Sequence, residues 1–368
     1  SFDEAGQVRI TVEVRDLAAE DEGVPVRAIV TAADGSHVDG SGHGLYADGR
    51  FYADGSFEVT VPGGQTRIEL SSGPDYVPLE IREDFAAGRA YHITARLFRW
   101  FSPDAHGWYC GDNHVHALHD ARATVKASLA YTALQGRANG LNWITEAGSN
   151  VPYDDIDRLD TDRFLLRYAP EQRPGAYIGH VNTPGITERL DSRFLDKIYS
   201  QPLPVQALKE RVHRLGGVVT HTHPLSPPYQ LHWMGATEFF SDAVMGDCTD
   251  LFDVDSRATE QLWFMALNLG NRVGVSGSTD SALGRVRTSS PGDRRVYCRA
   301  KEFTYPSIVE ALAEGRTFAT NGSAIFPFFA IDGHEPGDTI ELNGKRSCQA
   351  SMTIHTRDGV RTAQLYRN

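Results

Sequence analysis

Cysteine is scarce in this chain. Four cysteines occur in 368 residues, Cys110, Cys248, Cys298 and Cys348, widely spaced and without a CxxC pair. That spacing excludes a zinc ribbon, and a chain of this size builds a core without needing disulfides, although one or two remain open. No apolar run approaches the roughly 20 residues that span a bilayer, so no membrane span is expected. Clusters of Lys and Arg are missing as well. With 48 acids against 36 bases the net charge is −12, a field that repels nucleic-acid backbones. General nucleic-acid binding is therefore not expected, although a metal site could still accept a single phosphate. No internal repeat is visible. The chain opens on SFDEAG rather than Met, which favours a mature exported form, periplasmic or secreted, over a trimmed cytoplasmic one. It stops at AQLYRN in a strand-like pattern, as though the natural protein continues. Oligomeric state is not legible.

What the chain does have is rhythm. At 40% hydrophobic and 10% aromatic it suits two or three domains with real cores. Residues 1–103 alternate with period two: VRITVEV puts Val8, Ile10, Val12 and Val14 on one face, PVRAIV does the same with Val26, Ala28 and Val30, and FEVTVP and AYHITARLF follow. Short strands separated by ADG and PGG turns predict an antiparallel β-sandwich. The pattern GVPVRAIV, GSFEVTVPGG and DYVPLEI resembles carboxypeptidase regulatory-like, transthyretin-like modules, which are usually accessory domains.

From 104 to 322 the rhythm changes to strand and helix in alternation. Helices are predicted at Thr124–Arg137, Pro204–Leu215, Ser256–Leu269 and Pro306–Glu314. Strands are predicted at Trp108–His116, Leu141–Glu146, Phe164–Ala169, Ala176–Asn182, Gly217–His223, Ala236–Ser241, Val273–Asp280 and Thr317–Thr320. Interleaving of this kind predicts a closed βα barrel rather than an open sheet. Short strand patterns return over 323–368, in FFAIDG, EPGDTIEL and CQASMTIHT.

In a βα barrel the chemistry collects at the C-terminal ends of the strands, and here strand after strand ends in a metal-ligating residue. His114 and His116 sit two apart on one strand and project to one face; His119 and Asp120 follow in the loop. Glu146, Glu171, His180, His221, His223 and Asp280 complete the series. Taken singly, each has an ordinary reading: a hydrogen-bonded histidine, a turn or helix-cap aspartate, a solvated glutamate. Taken together, their recurrence at one end of successive strands points to a metal centre. The candidates suffice for two or three ions bridged by a carboxylate, and mixed imidazole and carboxylate donors suit Zn, Mn or Fe.

GDNHVH, GHVN, THTHP and GSTDS, followed by IVEALAEGRTFATNG and IDGHEPGDTI, resemble the PHP-domain metallohydrolases, and among them the CehA/McbA-like family named for carbaryl hydrolases. The resemblance spans about residues 105–340. It implies a distorted seven-stranded βα barrel with two or three metals. Carried across residue by residue, it implies His114 and His116 as the opening HxH, Asp120 near the next acidic ligand and Glu171 as the bridging carboxylate. It likewise makes His180 the central His, His223 the His before proline and Asp280 the acid of the last motif. Two departures reduce the expected count to two ions: TEA at Glu146 stands where the family has an Asp-His pair, and Ser281 stands where it has a final His.

The function implied is a metal-dependent hydrolase that uses a metal-bridged hydroxide on an ester-type bond of a small molecule, with phosphoester ranked above carboxyl or carbamate ester. His221, beside His223, is the candidate catalytic acid, and Arg122, Arg285 or Arg287 could hold an anionic group. The alternative is a non-catalytic binding protein with a degenerate, metal-stabilised barrel. An amidohydrolase also opens with HxH, but its carbamylated lysine has no counterpart, because no Lys lies between Lys126 and Lys197.

Overall fold

The computed structural model describes residues 6–19, 22–117, 125–148, 156–172, 180–191, 193, 195, 204–224 and 249–367. The predicted strand Ala236–Ser241 and the candidates His119, Asp120 and Arg122 lie outside these described residues.

Seven strands open the chain: β1 (Gln7–Asp16), β2 (Pro25–Thr31), β3 (Arg50–Asp54), β4 (Ser56–Pro62), β5 (Gly64–Ser71), β6 (Leu79–Phe85) and β7 (Ala90–Leu97). They form two sheets, ordered β4-β1-β7 and β3-β2-β5-β6. All neighbours run antiparallel except β1 and β7. The alternation of the sequence is realised directly: Val8, Ile10, Val12 and Val14 of one sheet and Val26, Ala28, Val30, Ile68 and Leu70 of the other are buried in one shared apolar cluster. Each such side chain contributes roughly 1.5–3 kcal/mol by leaving water, which is what holds two otherwise separate sheets face to face.

The α/β part is organised around β8 (Trp108–His116), whose residues are buried almost without break, as expected of a strand covered on both faces. With β9 (Trp143–Glu146) and β10 (Leu165–Tyr168) it forms a parallel ladder. A second ladder holds β11 (Val181–Asn182), β12 (Thr220–His221), β13 (Leu251–Asp253) and β14 (Gly274–Ser276); the last three are parallel and β11 runs against β12. β15 (Ser281–Ala282) returns to pair with the end of β8, while β16 (Arg295–Arg299) pairs antiparallel with its beginning and continues to β17 (Thr317–Thr320). Hydrogen bonding among the described residues thus yields a six-stranded and a four-stranded sheet, not one closed cylinder. The two are linked by a bridge between Gln172 and Val181. Asn182 Nδ2 donates to Asn113 O (2.5 Å) and Asn113 Nδ2 to Ser276 Oγ (3.4 Å), so β8, β11 and β14 face a common interior.

The helices follow their end signals. α1 (Leu129–Ala138) begins later than predicted because the Ser128 hydroxyl caps it, accepting from Tyr131 N. α2 (Pro204–Arg214) starts at its proline. α3 (Arg257–Asn268) is closed by a Ser256–Thr259 capping box, and α4 (Tyr305–Ala313) by Thr304. No helix among the described residues is long and apolar enough to cross a membrane. At the far end β18 (Ile325–Ile331) and β19 (Ala350–Thr356) pair antiparallel. EPGDTIEL, predicted as strand, is a turn in which Glu335 N donates to Asp338; its Pro-Gly pair breaks any ladder. Cys110 and Cys298 are buried free thiols and Cys348 an exposed one.

Gly111 sets how closely β8 and β9 approach. A Cβ there would lie 1.9 Å from the Trp143 ring. The indole fills that space and its Nε1 donates to Asn113 Oδ1 (2.9 Å), locking the strand that carries both leading histidines.

Candidate metal centre

The candidate residues gather on one rim because of strand direction. His114 and His116 end β8, Glu171 follows β10, His223 follows β12 and Asp280 follows β14. His180, expected inside a strand, instead immediately precedes β11. Since β11 runs antiparallel to β12, with Val181 opposite His221, its beginning lies level with the ends of the others. His180 O accepts from Thr222 N (3.2 Å), which seats it beside His223.

The distances are those of converging ligand atoms. His114 Nε2 and His116 Nε2 are 2.9 Å apart, and Asp280 Oδ1 lies 3.4 and 3.3 Å from them. Donors at about 2.1 Å from one ion stand about 3.0 Å apart in an octahedron and about 3.4 Å in a tetrahedron. On the other side, Glu171 Oε1 lies 3.1 Å from His223 Nε2, 2.5 Å from His180 Nδ1 and 3.7 Å from His114 Nε2, while Glu171 Oε2 lies 3.8 Å from His116 Nε2. His114, His116 and Asp280 form one possible ligand group, and His114, Glu171 and His223 another. His114 belongs to both, and Glu171 carries Oε2 toward His116 and Oε1 toward His114, His180 and His223.

Protonation suits cation binding. Burial pushes the His114 imidazole down to about 3, leaving it neutral. Burial works to raise the Asp280 carboxyl, but His116, His114 and His223 outweigh it and hold the group at about 2. Burial likewise opposes ionisation of Glu171, yet the hydrogen-bonding His180 and His223 and nearby His114 keep it well below the ordinary carboxylate range. A neutral imidazole and two carboxylates with lone pairs aimed at one spot are unfavourable alone and favourable around a divalent ion. The donor set fits such ions. His223 (φ 35°) and Asp280 (φ 49°) both sit in the left-handed region. For residues other than glycine that conformation is costly, and the surrounding structure must enforce it.

No family model and no curated protein matches the chain. Among solved structures, a two-domain protein from Bacteroides vulgatus containing a predicted PHP-like metal-dependent phosphoesterase is 15% identical, with TM-score 0.40 over 58% of this chain and 65% of that one. PfuEndoQ, a lesion-specific endonuclease from Pyrococcus furiosus, is 12% identical, with TM-score 0.40 over 58% and 57%. PsfC from Pseudomonas syringae is 12% identical, with TM-score 0.39 over 58% and 91%. Likenesses this distant leave the chemistry to be argued from the side chains.

Not every candidate joins the cluster. Glu146 is fully buried, and its carboxylate is taken by two backbone amides, Ala117 N (2.7 Å) and Gly148 N (2.8 Å); burial raises it to about 7. His221 is fully buried with its ring edge-on to Phe252 and belongs to neither ligand group. Ser281, in place of an imidazole, has its hydroxyl bonded to Thr279 and Ser289. Arg285 and Arg287 are exposed on the segment after Asp280. A groove of about 1250 Å³ opens at the other end of the ladder, near Asp250 and Gly274 where β13 and β14 begin, and does not contain the cluster.

Two buried acids escaped the sequence reading. Asp112, two residues before His114, accepts from His114 N, Thr279 N, Thr279 Oγ1 and Gly292 N. Asp253 ends β13; it is buried and accepts from Ser278 Oγ. LFDV carries the same signal as LNWITE, an apolar run closed by an acid.

Proposed function

We propose that the chain is a metal-dependent hydrolase of ester-type bonds, with a two-ion centre. The observation that carries the reading is Glu171, whose carboxylate reaches His116 and His114 on one side and His180 and His223 on the other. In this assignment His114, His116 and Asp280 would hold one ion and His180 and His223 the other, with Glu171 placed to serve both. Divalent ions in such a pair lower the pKa of a bound water to about 7 and polarise the oxygen under attack.

The chain's own residues hold that arrangement rigid and dry on its inner side. β8 and β15 fix the His114–His116 edge. Asp112 ties the Asp280 segment to β8. Arg285 and Arg287, exposed on the segment after Asp280, are the described candidates for holding an anionic substrate group. Phosphoester is ranked first, because its anionic oxygens are suited to spanning two ions, with carboxyl or carbamate esters next. The strand directions, the Gln172–Val181 bridge and the shared interior support a PHP-like barrel over 104–322. The two sheets of 1–103 would then precede it and the β18–β19 pair of 323–368 follow it.

The second reading, a binding protein with a degenerate centre, draws on Glu146 and Ser281, both occupied by protein partners. Metal content of protein purified without chelator, by inductively coupled plasma mass spectrometry, separates the two. Two ions per chain, with hydrolysis of a phosphoester or carboxyl-ester panel lost on chelation and regained on metal return, support the hydrolase. One ion or none after reconstitution overturns it.

A further inference from the structure

We propose that the N-terminal sheets are part of the metal centre's support, and that Tyr46, Arg50 and Tyr52 are positioning residues for the segment carrying Asp280. The inference rests on the metal-centre reading above.

After Asp280 the chain adds Ser281–Ala282 to the end of β8, and Leu283 N donates to His116 O (3.0 Å). The carbonyl of that same Leu283 accepts the Tyr46 hydroxyl (2.9 Å). From Val286 the grip repeats at every second residue. Ala47 N donates to Val286 O (2.9 Å), Arg50 Nη2 to Thr288 O (2.6 Å) and the Tyr52 hydroxyl to Ser290 Oγ (2.9 Å). One edge of the N-terminal sheets, residues 46–52, thus holds the segment from 283 to 290.

The gripping side chains are themselves immobilised. Tyr46, Arg50 and Tyr52 are 2%, 7% and 1% exposed. Gln135 Nε2 on α1 donates to Tyr46 Oη (3.1 Å), the Arg50 guanidinium lies 4.2 Å over the Tyr46 ring, and Asp48 takes Arg50 Nη1 (2.9 Å). Tyr52 meets Tyr46 and Tyr131 edge-on at 6.1 Å. Two domains that merely touch are joined by a modest, often mobile surface. Here a buried arginine and two buried hydroxyls are aimed at the backbone and one side chain of a single segment, at 2.6–2.9 Å.

That grip has a use at Asp280. Its left-handed backbone persists only while both flanks are fixed. Asp112 fixes Thr279 on one side; β8 and the 46–52 edge fix 281–290 on the other. A ligand carboxylate must be placed within about 0.5 Å to coordinate well.

The test uses the full chain stripped of metal and titrated with Mn²⁺ by isothermal titration calorimetry, with thermal unfolding in parallel. Tyr46→Phe removes only the hydroxyl. Tyr91→Phe, whose hydroxyl accepts from Ala86 N elsewhere in the same sheets, is the control. Tyr46→Phe is expected to weaken Mn²⁺ binding by about tenfold, the size of an outer-partner effect on a metal site, while its unfolding temperature stays near that of Tyr91→Phe and the control binds like wild type. If Tyr46→Phe fails to fold, Tyr52→Phe, which loses its bond to Ser290, carries the same expectation. Folded Tyr46→Phe or Tyr52→Phe protein with wild-type Mn²⁺ affinity overturns the inference. Wild-type protein that takes up no Mn²⁺, Zn²⁺ or Fe²⁺ overturns the metal-centre reading beneath it.

Discussion

Asp112 and Thr279, 167 residues apart in sequence, are joined twice: Thr279 Oγ1 donates to Asp112 Oδ2 (2.5 Å) and Thr279 N to Asp112 Oδ1 (3.2 Å). This pair brings the residue before Asp280 against the strand that carries His114 and His116. Without it, the Asp280 side of the first ligand group would lose its direct tie to β8 ahead of the β15 pairing and the 46–52 edge.

Asp112→Ala should therefore damage both stability and metal binding. Removing the carboxylate leaves the Thr279 and Gly292 amides buried without acceptors, a cost on the order of 3 kcal/mol. Urea unfolding in chelator should show that loss, and refolded protein should retain less than the wild-type metal content. Unchanged stability would mean the segment is held without Asp112.

The ligand assignments predict different stoichiometries. His116→Ala should remove at least one ion and most hydrolysis. Glu171→Gln keeps the shape but loses the charge shared by both groups, and should release both ions under dialysis that leaves wild type loaded. Metal analysis of each variant decides; a His116→Ala protein with two ions and full activity would sink the site.

Metal uptake should release a proton near neutral pH. Burial opposes protonation of His223, but its hydrogen bond to Glu171 and the nearby Asp280 charge win and raise its pKa above 6.5. A raised value means the metal-free protein still holds this proton as pH passes 6.5, and an ion that takes His223 must displace it. Apparent affinity should therefore rise with pH across the neutral range. Calorimetry in buffers of different ionisation enthalpy measures the proton directly; release of none would mean His223 is not a ligand.

Gly111→Ala should be among the more destabilising single changes, by about 3 kcal/mol or more, because the methyl group would meet the Trp143 ring at 1.9 Å and the ring is fully buried. Thermal unfolding checks it, and a shift of under a degree would show that the indole moves freely.

Local pattern was enough for much of this molecule. Alternation named the buried faces of β1 and β2 residue by residue, since a strand's side-chain period is two regardless of its partners. Ser256 and Pro204 marked helix starts because helix-end signals are local. Short strands were less legible: β13 and β16, at three and five residues, are too brief to alternate visibly, and β13 hid Asp253. EPGDTIEL had strand-like composition but a Pro-Gly turn inside it.

The sequence by itself determined which chemistry was available: imidazoles and carboxylates closing apolar runs, an excess of acids over bases, no apolar stretch of membrane length. Only the tertiary structure decided which of them meet. Glu146 and Glu171 look alike as strand-end acids, yet one is consumed by backbone amides and the other faces four imidazoles. His180 reaches the rim by preceding an antiparallel strand, which no local pattern announces. The reason is physical. Residue type and spacing act over a turn or a strand, whereas convergence within 4 Å of atoms up to 166 residues apart, from His114 to Asp280, depends on strand order, direction and the segments that clamp each loop.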